Sequence, residues 1–563
     1  MITSDEARIA SLTSLGAWGE LTLHELLAAR VEERGDALAV VDQANCQDWF
    51  GRKAVQLSFK ELDQASDSMA AAFLNVGLVR DDCLIVQLPN VAELFVCYHA
   101  ASKIGLIVSP IPVQYGAHEL RHIAKTVSAS AVLTCECFKS TALASNAEAA
   151  LPNTKIICCG RELPPIGEMV KASPESRRQV RDHQLLNPST ANDIITICWT
   201  SGTTGTPKGV PRSHNMWLAT GRATAAAGEY QNGDRLLVPF PLVNMAALGG
   251  FLFPAAIFGA TIVLHHPFDA AMYLQQLADE AVNFSVAPPA VLNQLAKSPE
   301  LWQQHDFLAL RALGSGSAPL APWMVKKFEQ DYKLTIINFY GSNEGVSLHS
   351  TPHTAPDPEA RGTMFPRIGI AGLPWESLRP GVLTKIADPE TGEEITSVGV
   401  SGELLMAGPT VFDGYFDHDN EGVFSEDGFF RSGDLVEICG EPPLYPQYRI
   451  VGRCKDIINR GGMKISPVEL DLLIDNYPGV AEAAVCAYAD ERLGEKICAC
   501  LVMQKNVPAP ELNSIQAWLL DQGLAKFKLP EQIVIVKELP RNPLGKVQRF
   551  ALSDQLRDKV SSS

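Results

Sequence analysis

Residues 198–215 read CWTSGTTGTPKGVPRSHN. Nine of the twelve residues from Thr200 to Pro211 are Ser, Thr, Gly or Lys, so one short segment gathers backbone N–H groups, hydroxyls and an ammonium. All of these donate to anionic oxygen, which makes a polyphosphate the natural ligand. The spacing is not that of a Walker loop, in which Lys follows Gly and precedes Ser or Thr; here Lys208 follows Pro207 and precedes Gly209. A bare turn accounts poorly for five hydroxyls and a lysine set among three glycines.

The flanks place this loop. IITICWT (194–200) is an unbroken apolar run that predicts a buried strand, and the pattern from about His214 to Tyr230 predicts a helix. The same alternation extends outward: strand, helix and strand over 83–90, 91–105 and 106–112, then strands at 235–242, 259–266 and 283–288 with a helix at 272–282. Strands too apolar to alternate, interleaved with helices, imply an α/β fold of mainly parallel sheets covered by helices. Ligands of such sheets collect at loops beyond the strand carboxyl ends. Leu236 to Leu264 is uncharged and exceeds the ~20 residues that cross a bilayer. Pro239, Pro241, Asn244, Gly249, Gly250 and Pro254 break it, so it reads as strand, turn and buried helix. Leu163 to Ala191, rich in Pro and charge, is expected to run over the surface as a long connection.

Near residue 450 the texture changes to turn residues and charges between short strands, then a helix (468–477), strands (482–488, 496–503), a helix (511–523) and a strand (532–539). That predicts a small C-terminal α+β domain over 455–563 after a large N-terminal domain over 1–454. The chain of 563 residues, 46% hydrophobic, has ample material for both. With 47 Lys and Arg against 64 Asp and Glu the formal charge is −17, which excludes a general nucleic-acid binder. The 13 cysteines are scattered, with no paired C-x-x-C, and in ICACL (497–501) they read as small buried hydrophobes. Met1 to Ser14 is polar and mildly acidic, unlike a secretory leader. A cytoplasmic protein with no membrane association is expected.

The loop at 200–209 closely resembles the phosphate-binding loop of the adenylate-forming superfamily, which comprises acyl-CoA synthetases, firefly-type luciferases and nonribosomal-peptide adenylation domains. Further segments resembling that family follow in order: GSGSAPL (314–320), NFYGSNEG (338–345), GFFRSGDL (428–435), IVGRCKDIINRGGMKISPVEL (450–470) and LPRNPLGKVQR (539–549). Taken singly, a tyrosine ending a strand or one glutamate is ordinary; together the segments span most of the chain. The resemblance implies nucleotide contacts from Thr200, Ser201, Gly202, Thr203, Thr204, Gly205 and Lys208. It further implies an adenine turn at Gly316, Ser317 and Ala318, with Phe339 beside it, Tyr340 stacking on the base and Asn338 meeting the exocyclic amine. Glu344, with Thr204, would hold Mg²⁺, a hard cation suited to oxygen. Asp434 would accept from the ribose hydroxyls, Arg453 would reach ribose or phosphate, and Lys455 takes the hinge position. Lys546 takes the place of the adenylation lysine, which with Glu344 and Lys208 forms the implied catalytic set. Asn343 stands where many relatives carry a phosphate-touching threonine.

By this resemblance a carboxylate attacks the α-phosphate of ATP, pyrophosphate departs, and a thiol then takes the acyl group from the adenylate, passing Arg460, Gly461 and Gly462. The expectation is an ATP-dependent carboxylic acid:CoA ligase using Mg²⁺ and coenzyme A, as a monomer or homodimer. The alternative is an aryl-acid adenylating enzyme of the 2,3-dihydroxybenzoate or salicylate type that loads a separate carrier protein, since the chain holds no carrier-type phosphopantetheine serine motif. A nucleotide-binding protein without turnover ranks below both. In LVPFPLVNMAALGG (237–250), Val243 stands where many relatives place a histidine or aromatic, with Phe240 as the other candidate. Asn244 aligns with an asparagine that aryl-acid ligases set near the ring hydroxyl, and it equally suits the cap of a helix beginning at Met245. With Ser315, Gly341 and Val346 these would line a mostly apolar pocket for an aromatic, alicyclic or medium-length acid.

Overall fold

A computed structural model describes the chain except residues 201–206, 317, 491, 542–546 and 561–563, together with the side chains of 555 and 557–560. It divides into two compact units. The first comprises Met1–Gly362, Trp375–Leu383 and Met406–Phe430.

Two sheets frame this unit. One has eight strands in the order Ser347–Ser350, Thr335–Gly341, Ala312–Gly316, Phe284–Val286, Arg235–Val238, Thr261–Leu264, Leu38–Val41 and Gln56–Ser58. Its inner six strands are parallel and its two edge strands antiparallel. The other has six: Gly209–Ser213, Ile194–Trp199, Ile107–Pro110, Cys83–Val86, Ala131–Cys135 and Lys155–Cys159, parallel except for the first pair.

The strand period of two sorts their side chains into layers. Leu84, Val86, Val108, Leu236, Val238 and Ile262 join one cluster between the sheets, with helices Phe59–Asn75, Ala92–Ile104 and His214–Ala227. The alternate residues Ile85, Ile107 and Ile197 face an outer cluster with Ile123 and Ala147; Leu237, Val263 and Leu313 face another with Leu277, Leu292 and Phe328. Both faces of both sheets are thus covered, as continuous apolar strands require. Ala92–Ile104 lies in the middle layer with every residue buried. Its charges are paired there: Arg52 Nε donates to Glu93 at 2.7 Å, and Lys103 reaches Asp63 at 2.6 Å and Asp67 at 2.5 Å.

The interrupted run from Leu236 folds as expected into strand, buried helical segments at Leu248–Leu252 and Phe253–Phe258, and strand. Among the described residues no helix is long and apolar enough to cross a membrane. Leu163 to Ala191 differs from expectation, because it contains a helix over Pro174–Leu186. Ser173 caps it, accepting from Ser176 N, and only Val180 is buried.

The second unit comprises Thr363–Pro374, Thr384–Leu405 and Arg431–Ser563. One sheet runs Met364–Pro366, Gln447–Arg453, Phe430–Cys439, Ser401–Ala407 and Leu383–Ala387. The other runs Met463–Ile465, Ile458–Arg460, Gly494–Met503 and Val480–Asp490, with Gln532–Ile535 also paired to Gly494–Met503. Alternation is clean in the ICACL stretch: Ile497, Ala499 and Leu501 pack with helices Pro467–Ile474 and Leu512–Asp521, while Cys498 and Cys500 pack with Cys486, Leu552 and Leu556 on the opposite face. None of the thirteen cysteines forms a disulfide. Lys455 lies exposed in the turn joining these two sheets, and both sheets belong to this one compact unit.

Candidate active site

In the first unit the expected residues leave the carboxyl edge of the parallel strands. Arg235–Val238 leads into Phe240, Val243 and Asn244; Ala312–Gly316 leads into Ala318; Thr335–Gly341 carries Asn338, Phe339 and Tyr340, its Asn338 opposite Ser315 and Phe339 opposite Gly316. Ile194–Trp199 leads into Thr200. Thr200 N donates to Lys208 O at 3.0 Å and closes the base of the loop. Ser201, Gly202, Thr203, Thr204 and Gly205 lie outside the described residues, as do Ser317 and Lys546.

Lys208 and Glu344 meet through a residue that the sequence reading missed. The Lys208 ammonium lies 4.8 Å from the centroid of the Tyr415 ring, and the Tyr415 hydroxyl donates to Glu344 Oε1 at 2.9 Å. Backbone bonds fix this meeting point: Phe412 N donates to Glu344 O and Phe416 N to Gly209 O, both at 2.9 Å, while Thr410 Oγ1 donates to Gly345 O at 2.8 Å. The chain thus crosses Glu344 and the residue after Lys208 as a strap. Gly345 has φ +109°, and a Cβ there would stand 1.9 Å from Thr410 O, so only glycine fits beneath it.

Asn343 clamps two parts of the edge. Its Nδ2 donates to Trp199 O at 3.0 Å, at the base of the loop that Thr200 and Lys208 close, and its Oδ1 accepts from Met245 N at 2.8 Å, in the segment after strand Arg235–Val238. Arg212, fully buried, donates to Asn343 O at 2.9 Å and stacks 4.3 Å from the Trp217 ring. Burial pushes its pKa down to about 9.

Asn338 Nδ2 donates to the carbonyls of Arg361 at 3.1 Å and Gly362 at 2.8 Å, which orients the amide by using its donor end within the protein. Phe339 packs at 4.7 Å against His349, whose pKa is held well below 6.5 by burial and by the Arg379 guanidinium, which donates to its Nδ1 at 2.8 Å. Of the acid-pocket candidates, Val243, Ser315 and Val346 are buried, and Ser315 Oγ donates to Ala287 O at 2.8 Å. Asn244 caps the helical turn after it, accepting from Ala247 N at 3.2 Å. Phe240 is half-buried, and Gly341 and Ala318 are exposed.

In the second unit Asp434 and Arg453 face each other across paired strands, and Arg453 Nε donates to Asp434 Oδ1 at 2.6 Å. Buried Glu403 braces the same segment, accepting from Arg431 Nε at 2.8 Å and Gly433 N at 2.9 Å. Gly461 and Gly462 form the turn of a tight hairpin between Ile458–Arg460 and Met463–Ile465, with φ of +57° and +85°. Arg460 donates to Glu531 at 2.5 Å.

Among the described residues no group of three or more His, Cys, Asp or Glu is arranged to cage a metal ion. Glu344, with a phenol oxygen beside it, is a hard oxygen donor, and Mg²⁺ characteristically takes one or two carboxylates and completes its shell with phosphate oxygen and water. The residues present fit that mode.

Residues 27–416 match the family of AMP-binding enzymes, and 469–546 match the AMP-binding enzyme C-terminal domain. The chain is 29% identical to the medium-chain fatty-acid–CoA ligase of Escherichia coli K12, with 100% of this chain and 95% of that protein covered. It is also 29% identical to a salicylyl-CoA synthase / salicylate adenylyltransferase of a Streptomyces species, with 97% and 96% covered. In fold it is similar to ATP-bound MatB from Rhodopseudomonas palustris, with a TM-score of 0.78, 24% identity, and 96% and 99% of the chains covered. Matched over most of its length, with lysine and carboxylate meeting on Tyr415, the chain belongs to the AMP-binding enzyme family.

Proposed function

We propose that this chain activates a small carboxylic acid with ATP as an acyl adenylate and passes the acyl group to the thiol of coenzyme A. The observation that carries this reading is the meeting of Lys208 and Glu344 on Tyr415 at the carboxyl edge, an ammonium for phosphate beside a carboxylate for a hard cation. The two relatives support both halves of it, one named as a CoA ligase and the other as both CoA synthase and adenylyltransferase.

In the first step a carboxylate oxygen bonds to the α-phosphorus, the bond from that phosphorus to the bridging oxygen breaks, and its electron pair leaves with pyrophosphate. Lys208 and the donors of Thr200 to Gly205 hold the leaving phosphates in line. Glu344 and Thr204 hold Mg²⁺, which when bound offsets the phosphate charge. Lys546 bridges carboxylate and α-phosphate, countering the repulsion between two anions as they close. Asn338, its donor end used within the protein, offers its oxygen to the adenine amine; Tyr340 stacks on the ring, and Gly316, Ser317, Ala318 and Phe339 shape its slot. Asn343 holds loop and pocket together beside the phosphates. Asp434, oriented by Arg453, accepts from ribose. Phe240, Val243, Asn244, Ser315, Gly341 and Val346 line the acid pocket.

In the second step the thiol sulfur attacks the anhydride carbonyl and AMP leaves. The thiol passes Arg460, Gly461 and Gly462 once the domain over 455–563 turns about Lys455 against 1–454. Such an enzyme works in the cytoplasm, where ATP and coenzyme A are at hand.

The test is pyrophosphate release from ATP and Mg²⁺ across aryl, alicyclic and fatty acids, with and without coenzyme A, for wild type and Lys546→Ala. Acyl-CoA formation with one acid class, lost in Lys546→Ala, is expected. Acid-dependent release without a CoA thioester would point to a carrier protein as acceptor. Unchanged release in Lys546→Ala would overturn the mechanism.

A further inference from the structure

We propose that Tyr415 is the positioning residue of the phosphate site, and that one side chain sets both Lys208 and Glu344 for Mg·ATP. This deepens the proposed function and rests on it. The phenol hydroxyl donates to Glu344 Oε1 at 2.9 Å, and the ring face takes the Lys208 ammonium 4.8 Å from its centroid. A glutamate carboxylate on a half-exposed turn samples several rotamers, and ordering it costs entropy that a donor already in place removes from the binding step. With Oε1 engaged by the phenol, the carboxylate plane is fixed and its other oxygen is presented. The ring holds the ammonium by its quadrupole and leaves its N–H donors to phosphate.

Tyr415 can do this because its own backbone is held. Tyr415 N donates to Asn420 Oδ1 at 2.7 Å, Phe416 N to Gly209 O beside Lys208, and Phe412 N to Glu344 O. Phe412 packs edge-on against its ring at 4.9 Å. The strap is therefore bonded to each of the two segments whose side chains Tyr415 joins. Among the described residues no ion pair engages Lys208 or Glu344, so Tyr415 joins an ammonium and a carboxylate that are not paired with each other.

The two contacts belong to different atoms and can be removed separately. Tyr415→Phe deletes only the hydroxyl; Tyr415→Leu deletes the ring face as well. Calorimetric titration of ATP with and without Mg²⁺ reads both. Tyr415→Phe is expected to weaken Mg·ATP by about tenfold while leaving metal-free ATP as in wild type, since the phenol acts through the carboxylate. Tyr415→Leu is expected to weaken both forms. Should Tyr415→Leu not fold, the phenylalanine variant, one oxygen smaller, decides alone. Wild-type affinity for Mg·ATP in Tyr415→Phe, or equal weakening of both forms, overturns the inference and leaves the functional reading intact. Failure of the wild type to bind ATP in either form removes the functional reading, and the inference with it.

Discussion

Arg212 donates through Nη1 to the carbonyl oxygen of Asn343 at 2.9 Å, and through Nη2 to Met216 O at 3.1 Å and Thr220 Oγ1 at 2.9 Å. A fully buried guanidinium thus ties the start of helix His214–Ala227 to the turn that carries Glu344. Among the described residues no carboxylate forms an ion pair with it, although the Glu344 charge acts on it, and a neutral methionine of similar length would avoid the burial cost while leaving the Asn343 carbonyl without this donor; Met216 O keeps its bond from Thr220 Oγ1. The lost tie to Asn343 decides the sign: Arg212→Met is expected to lose about 2 kcal/mol of stability in urea unfolding. An Arg212→Met protein as stable as wild type would contradict this.

Gly345 lies under the strap with φ +109° and no room for a Cβ. Gly345→Ala is expected to push Thr410 away and shift Glu344, cutting acid-dependent pyrophosphate release by about 100-fold, the scale of an ångström's misplacement near reacting groups. Release within twofold of wild type would show that the turn tolerates the shift.

The strands beside the site were readable because they are unbroken apolar runs, as in Ile194–Trp199, and the layers followed from their burial on both faces. Helix Pro174–Leu186 was not, although Ser173 and Pro174 mark its start, because a helix that buries only Val180 carries no apolar stripe to detect. Asn244 was readable as a cap from its place before Met245, and it is one. Tyr415 could not be found from local pattern: its partner Glu344 is 71 positions away and its relation to Lys208 exists only once the strap crosses both. Arg212 hides similarly, since a charged residue in a strand beside a polar loop reads as surface.

The hairpin turn at Gly461 and Gly462 has both φ values in the left-handed region. Gly462→Ala meets no atom within 4 Å, so its cost is conformational, about 1 kcal/mol. If the thiol passes this turn, pyrophosphate exchange will be unchanged while thioester formation slows. Equal slowing of both half-reactions would place the turn's role elsewhere.

Buried histidines predict acid sensitivity. Burial is the main cause holding His99, His214 and His266 down to about 3; Lys103 adds to the effect at His99, His24 at His214 and His265 at His266. Unfolded, each takes up a proton below about pH 6.5. The unfolded state then binds more protons, so stability is full above pH 6.5 and falls as pH drops toward the folded value. Each histidine contributes a slope approaching about 1.4 kcal/mol per pH unit in that window. Urea unfolding between pH 7.5 and 5 is expected to show the decline, and His99→Leu to remove one histidine's share. A flat profile would mean these rings titrate normally.

The adenylate is the central claim, and isotope transfer reads it directly. With the acid that supports turnover carrying ¹⁸O in both carboxylate oxygens, formation of the adenylate and its cleavage by thiol must leave one labelled oxygen on the phosphate of AMP. Mass spectrometry of the released AMP is expected to show one ¹⁸O per molecule. Unlabelled AMP, or ADP with inorganic phosphate in its place, would contradict the account.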